Sequence, residues 1–238
     1  MKKNGYVIIE GNIGAGKSTF AEAIANALQD HGQTATKLME PDEESNPFLP
    51  LYYSDPKRWA FTMQAFLLGK RFEMTQYAQH GALSGKGWFV MDRSYFGDLY
   101  FAVVQKHDHF FTNDEFNAYV NLHHAMQANI HYPTAAIFLN CSPDICKKRI
   151  DKRMSEKAGR VCELSISMDY LESLQREIDK MNDFLSRQTK VISLDWNGDK
   201  DESGLKKAAD QVVEMLMNDE RSNSIYSPWG ACAASLFD

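Results

Sequence analysis

The string Gly11-Asn12-Ile13-Gly14-Ala15-Gly16-Lys17-Ser18, followed by Thr19, limits this chain more than any other feature. It fits G-x-x-x-x-G-K-[ST], in which glycines let successive backbone N–H groups turn inward around phosphate oxygens. The apolar run Tyr6-Val7-Ile8-Ile9 leads in, and residues 18–30 lead out with Phe20, Ile24, Ala25 and Leu28 at helical spacing. That predicts a buried strand, a tight loop and a helix whose positive end adds to anion binding. In that setting Lys17 is expected on the β- and γ-phosphates of ATP, and the Ser18 hydroxyl on Mg²⁺. A chance glycine-rich turn would lack the strand before and the helix after. The motif alone does not separate kinases from GTPases or motor ATPases.

The rest of the chain repeats the alternation. Residues 36–39, 88–91, 135–139 and 191–194 read as further strands. Helices are expected over 58–80, 113–129, from 143 into a charged stretch ending near 160, over 167–187 and over 204–217. Residues 42–56, rich in Pro, Asp and Asn, read mostly as loop. Strands alternating with helices predict an α/β fold with a parallel sheet of about five strands flanked by helices. No internal repeat or linker-like shift divides it, so residues 1–218 read as one domain, with a tail over 219–238 of unassigned role.

With 238 residues the chain can bury one ample core, and its formal charge of −6 disfavours nucleic acid as a partner. No run of 18 apolar residues indicates a membrane span. Few residues precede the first strand, so no signal or transit peptide is expected. Cys141, Cys146, Cys162 and Cys232 form no C-x-x-C pair and no zinc spacing, and read as reduced thiols of a cytoplasmic protein. His123 and His124 read as packing or surface residues.

The second half narrows the class. No N-K-x-D for guanine is present, and no apolar strand ends in Asp-Glu. Instead Asp92-Arg93-Ser94 follows a buried strand, and Arg149, Arg153 and Arg160 crowd a late charged segment. Such a segment, over about 149–163, suits a lid that closes over transferring phosphates and excludes water.

The chain resembles the deoxynucleoside kinase family, in a bacterial or phage form. The pieces that carry the resemblance run in order: Ile9-Glu10-Gly11-Asn12-Ile13, Glu40-Pro41, and Tyr53-x-x-Pro56-x-Arg58-Trp59-x-Phe61-Thr62-x-Gln64. Next come Asp92-Arg93-Ser94 with Asp98, the arginine-rich lid, and Asp169-Tyr170-Leu171 with Leu174. The resemblance implies the P-loop kinase fold and transfer of the γ-phosphate of ATP to a deoxynucleoside 5′-hydroxyl. It implies Glu40 as general base, Arg93 at the 5′-hydroxyl and the moving phosphoryl group, and Asp92 beside Ser18 as a holder of Mg²⁺. Asp92 stands where the family more often has Glu. Tyr53 and Glu163 are implied at the sugar 3′-hydroxyl, Gln64, Arg71 and Asp98 at the base, and residues 194–197 near the adenine of ATP. It also implies a homodimer joined by the helices beginning near residues 58 and 115.

The amide of Gln64 offers a donor and an acceptor, and Arg71 lies seven residues on, hence on the same helix face. A carboxylate such as Asp98 beside the base wants a donor, which disfavours thymidine. Animal members place a bulky aromatic four residues after this Asp; here it is Ala102. A wider pocket, or one in which Phe101 takes over, leans to purines: deoxyadenosine first, deoxyguanosine next, then deoxycytidine. Two rivals stand beside this reading. A thymidylate-kinase-like monophosphate kinase would need extra basic groups, for which Arg58 is available. A catalytically inactive nucleotide-binding protein should show damage at Lys17, Ser18, Glu40 or Arg93, and none is damaged.

Overall fold

A computed structural model describes residues 3–41, 45–156 and 166–218. Five parallel strands form one sheet: β1 (Gly5–Gly11), β2 (Ala35–Leu38), β3 (Trp88–Asp92), β4 (Ala135–Asn140) and β5 (Lys190–Asp195), in the order β2-β3-β1-β4-β5. Around it lie eight helices among the described residues: α1 (Lys17–Asp30), α2 (Leu49–Ser54), α3 (Pro56–Leu83), α4 (Tyr95–His107), α5 (Asn113–Gln127), α6 (Pro143–Glu156), α7 (Met168–Ser186) and α8 (Glu202–Met217).

β1 is buried along its whole length, as a central strand between two covered faces must be. Its side chains alternate between two cores. Tyr6 and Ile8 join the residues of α3, α4, α5 and α7. Val7 and Ile9 join those of α1 and α8. Because every strand runs the same way, the carboxyl ends of all five deliver their loops to one edge, where ligands bind in open α/β sheets.

Two helices differ from the sequence expectation. The stretch 42–56 contains α2, a short helix opened by Pro50. No element is expected over 95–107, yet α4 fills it. Its run Tyr-Phe-Gly-Asp-Leu-Tyr-Phe-Ala-Val-Val is apolar on nearly every side, and most of it is buried. A helix packed all round has no polar face to set a 3.6-residue rhythm. The elements that were expected stand within a few residues of their predicted ends. α3 starts where Asp55 caps it, accepting from the N–H of Arg58 at 3.2 Å with Pro56 behind. Residues 157–165, which include Arg160, Cys162 and Glu163, and the tail from 219, which includes Cys232, lie outside the described residues.

Candidate active site

The phosphate loop is built by main chain. Gly11, Gly14 and Gly16 have φ of 152°, 80° and 93°. A Cβ on Gly14 would come 2.6 Å from the Cys146 carbonyl oxygen, so the loop admits no side chain there. Asn12 anchors it: its Nδ2 donates to the Leu171 carbonyl at 2.8 Å, and its Oδ1 accepts from the N–H of Ile13 at 2.8 Å. Lys17 is buried and donates to the Asn12 carbonyl at 2.7 Å. Burial, with Arg93 nearby, lowers its pKa to about 8. Ala15 leads into the Gly16 cap, and Thr19 lies in the first turn of α1.

Ser18 and Asp92 meet at the mouth of the loop. The Ser18 hydroxyl donates to Asp92 Oδ2. Asp92 Oδ1 is buried and has no partner among the described residues. An orphaned carboxylate oxygen beside a hydroxyl is a hard-oxygen donor set, and Mg²⁺ takes one or two such groups together with substrate phosphates and water. These two residues therefore fit the ion.

Arg93 follows at φ 67°, a left-handed conformation that costs a non-glycine residue about 1 kcal/mol. Its N–H donates to the Ile9 carbonyl at 3.1 Å, which holds the turn across the β1–β3 pair. The turn swings the guanidinium back, so that Nε donates to Glu40 Oε2 at 3.0 Å and Nη1 lies 3.5 Å from the Gly11 carbonyl. Glu40, just past the end of β2, receives Arg71 on its other oxygen. Burial opposes ionisation of Glu40, but Arg71 and Arg93 outweigh it and hold its pKa down at about 2. The Glu40 side chain keeps 26% of its surface exposed, so solvent and ligand can reach it.

Arg71 in turn donates to Asp98 Oδ1, and Tyr119 from α5 donates to Asp98 Oδ2. Gln64 Nε2 donates to the Asp98 backbone carbonyl at 3.1 Å, and Gln105 Nε2 donates to Gln64 Oε1 at 2.7 Å. Glu40, Arg93, Arg71, Gln64 and Gln105 border a cavity of about 290 Å³. Tyr53, Gln64, Arg71, Phe101, Gln105 and Tyr170 line it. Asp98 does not: it is fully buried behind Arg71. Ala102 is also buried away from the cavity, and Phe101 presents the ring, with the Arg93 and Arg71 guanidiniums 4.5 and 5.3 Å from its centroid.

The remaining sequence candidates divide. Arg149 on α6 donates to the Ala15 carbonyl at 3.4 Å and to the Trp196 carbonyl at 3.1 Å, tying the phosphate loop to the loop after β5. Arg153 lies half-buried one turn further on α6. Arg160 and Glu163 lie outside the described residues. Trp196 is buried against Phe20, with ring centroids 4.5 Å apart, and packs the core. Arg58 is exposed, stacks on Trp59 and does not border the cavity. His123 is buried with its ring stacked on Tyr95.

Sequence reasoning missed Gln105, Tyr119 and Glu10. Gln105 lies seven residues after Asp98, two helical turns on, the same spacing that links Gln64 to Arg71. Without α4 that signal had no helix to run along. Glu10 is buried at the end of β1 and accepts from the Ser94 hydroxyl at 2.6 Å. The same hydroxyl caps α4 by accepting from the N–H of Gly97 at 3.2 Å. Burial raises the pKa of Glu10.

The family model described as deoxynucleoside kinase matches residues 7–218. A deoxyguanosine kinase of Dictyostelium discoideum is 30% identical over 80% of this chain, which spans 64% of that protein, just under two thirds. A deoxyadenosine kinase of the same organism is 30% identical over 81% of this chain and 72% of its own length. The deoxyadenosine/deoxycytidine kinase of Bacillus subtilis is 26% identical over 92% of this chain and 96% of its own. A solved deoxyadenosine kinase from M. mycoides, with dCMP and dCDP bound, superposes with a TM-score of 0.73 over 90% of this chain and all of that one, at 23% identity. At that identity the likeness speaks for the fold.

Proposed function

Because this chain belongs to the deoxynucleoside kinase family, we propose that it transfers the γ-phosphoryl group of ATP to the 5′-hydroxyl of a deoxynucleoside, with deoxyadenosine first, then deoxyguanosine and deoxycytidine. One observation carries the reading. Glu40 sits where the phosphate loop and the cavity meet, held by Arg93 on the loop side and Arg71 on the cavity side. A carboxylate there can accept the hydroxyl proton, and an arginine beside it can hold the phosphoryl group in transit.

In this reading Lys17 and the backbone N–H groups of residues 11–19 bind the triphosphate, with Arg149, Arg153 and Arg160 closing over it. Phosphate oxygens restore full charge to Lys17 and draw it from the Asn12 carbonyl. Ser18 and Asp92 would hold Mg²⁺, whose part is to neutralise charge on the phosphates. Arg93, already over the Gly11 carbonyl, turns its free N–H groups to the phosphoryl group. Glu40 at a pKa of about 2 is a weak base while both arginines hold it. A nucleoside that engages Arg71 leaves Glu40 to one arginine, and so a better proton acceptor. Tyr53 packs against the sugar and Glu163 holds its 3′-hydroxyl. Gln64, Arg71 and Asp98 set the base end.

We further read the chain as one domain over residues 1–218, a cytoplasmic homodimer joined through α3 and α5. Tyr77 and Leu83 on α3, 58% and 55% exposed, and Leu122 on α5, 46% exposed, are the apolar surface such a contact would cover. Among the described residues no helix is long and apolar enough to cross a membrane.

The test offers ATP·Mg²⁺ with deoxyadenosine or thymidine monophosphate. Phosphorylation of the nucleoside supports the reading; phosphorylation of the monophosphate alone would sink it. Glu40→Gln should cut kcat by about 10² to 10⁴ with nucleoside binding retained.

A further inference from the structure

We propose that Glu10 is a positioning residue for the transfer step: through Ser94, its buried carboxylate holds Arg93 in its left-handed turn, with the guanidinium against the phosphate loop before either substrate binds. The inference rests on the phosphoryl-transfer reading of Arg93 and deepens it.

Three consecutive residues at the end of β1 hold the two residues that follow β3. The Ile9 carbonyl accepts the N–H of Arg93 at 3.1 Å. Glu10 Oε1 accepts the Ser94 hydroxyl at 2.6 Å. The Gly11 carbonyl lies 3.5 Å from Arg93 Nη1. The first and third contacts use main-chain carbonyls, which almost any residue would supply. Glu10 is the part of the clamp that depends on a particular side chain.

The turn needs such a clamp. Arg93 sits at φ 67°, and a non-glycine residue stays in that region only where its surroundings over-determine it. Ile9 fixes the turn at the Arg93 N–H, and Ser94 fixes it on the other side. The Ser94 hydroxyl accepts from the N–H of Gly97 at 3.2 Å and donates to Glu10, so its two roles point in opposite directions. Ser94 is fully buried, so bulk water does not stand in for Glu10. Gly97 closes the contact: a Cβ there would stand 2.8 and 2.9 Å from the two oxygens of Glu10. The carboxylate therefore lies on the first turn of α4, where a helix N-terminus favours negative charge.

Stability alone is a poor reason for a carboxylate at this place. Glu10 is 1% exposed, and drying a charge costs more than burying an apolar side chain of the same size. Burial pushes its pKa up, while Arg93, the Ser94 hydroxyl, Arg71 and Lys17 draw it back. Glu10 thus lies within the field of the three cations of the site. It forms an ion pair with none of them among the described residues: Arg71 and Arg93 pair with Glu40, and Lys17 donates to the Asn12 carbonyl. Glu10 can hold the turn without occupying the guanidinium. The N–H groups of Arg93 that Glu40 and Gly11 leave over stay available to a phosphoryl group.

The experiment measures kcat with deoxyadenosine and ATP·Mg²⁺, a separate Kd for each substrate, and Tm. The variants are Glu10→Met, Glu10→Gln and Ser94→Ala, with Glu10→Met also made in Arg93→Ala. Glu10→Met fills similar space without an oxygen, and should lower kcat by about tenfold to a hundredfold with both Kd values within about threefold. Glu10→Gln keeps an acceptor for Ser94 and should recover most of that loss. Ser94→Ala breaks the same bond from its other end and should resemble Glu10→Met. In Arg93→Ala nothing remains to be positioned, so adding Glu10→Met should cost less than about threefold more. A lower Tm with kcat unchanged in Glu10→Met overturns the proposal, and so does a full additive loss on top of Arg93→Ala. If Glu10→Met does not fold, Ser94→Ala decides, and an unchanged kcat there overturns it. A wild type that phosphorylates only thymidine monophosphate would remove the nucleoside reading, while the same ratios taken with that substrate would still judge Glu10. A wild type without turnover on either substrate would remove both.

Discussion

The phosphate loop and the nucleoside cavity share one edge of the sheet and are made in opposite ways. The loop is main chain over nine consecutive positions, its shape enforced by positive φ at Gly14 and Gly16 and by the close Cys146 carbonyl. The cavity is side chains from α2, α3, α4 and α7 and the loops beside them, brought together across the fold. The loop's glycine turns are of the kind that lets backbone N–H groups face phosphate oxygens. The cavity satisfies most of its own charges, since Glu40, Arg71 and Asp98 pair with one another. A ligand meets a turn of main chain already shaped on one side. On the other it must exchange partners with an existing network. Affinity on the first side should depend on backbone shape, and selectivity on the second on which polar atoms remain unpaired.

The widest separation between the two regions is expected at Arg93, the residue that belongs to both. Arg93→Ala should lower kcat by about 10³ or more, since the arginine that bears on a moving phosphoryl group is worth that much in comparable enzymes. Steady-state rates with deoxyadenosine measure it, and a loss under tenfold would place Arg93 outside the chemistry.

Gly14→Ala attacks the loop alone. The added Cβ faces a carbonyl at 2.6 Å in a left-handed backbone, so ATP binding should be lost and the Tm should fall by an amount equal to about 2 kcal/mol. Deoxyadenosine binding without ATP, followed by calorimetry, should survive. If both ligands are lost together, the two regions are not separable.

pH sharpens the contrast. Lys17, lowered to about 8, is largely neutral at pH 9 in the free protein. Phosphates restore its charge, so ATP binding at pH 9 should take up about one proton. Calorimetry in two buffers of different ionisation enthalpy reads this directly, and Lys17→Met should abolish it. Glu40 has the opposite sign. Its pKa is depressed, so its contribution to stability is full above its ordinary value of 4.5 and lost as pH falls through about 2. The urea midpoint of the wild type should drop across that window more than that of Glu40→Gln.

The smallest effect belongs to Tyr119→Phe. Removing one donor from Asp98 costs about 1 kcal/mol, and should raise KM for deoxyadenosine severalfold with kcat little changed. A change in kcat alone would mean that α5 bears on the phosphoryl step instead of the base.

The unequal legibility of the two regions follows from their construction. The strand before Gly11, the string itself and the helix from Lys17 are contiguous, so local pattern found them. Gln64 and Arg71 were legible as one helix face because no proline follows Pro56 in α3 and the apolar spacing runs on past Gly69. Glu40 and Asp98 entered through family resemblance. Gln105 and Tyr119 did not enter at all. The helix carrying Gln105 is buried on nearly every side and has no rhythm to read. Tyr119 meets Asp98 only because α5 packs on α4.

By itself the sequence determined that strand and helix alternate, that a triphosphate loop opens the chain, and that the charged candidates for phosphoryl transfer are present. Those properties are set by spacing within a few residues. Only the tertiary structure decided which of the polar groups are already paired. It placed Asp98 behind Arg71, put Phe101 rather than Ala102 on the cavity, and left Asp92 Oδ1 and Gln105 Oε1 without partners among the described residues. Pairing is a property of atoms brought together across the chain, and no spacing along it records which atoms are left over.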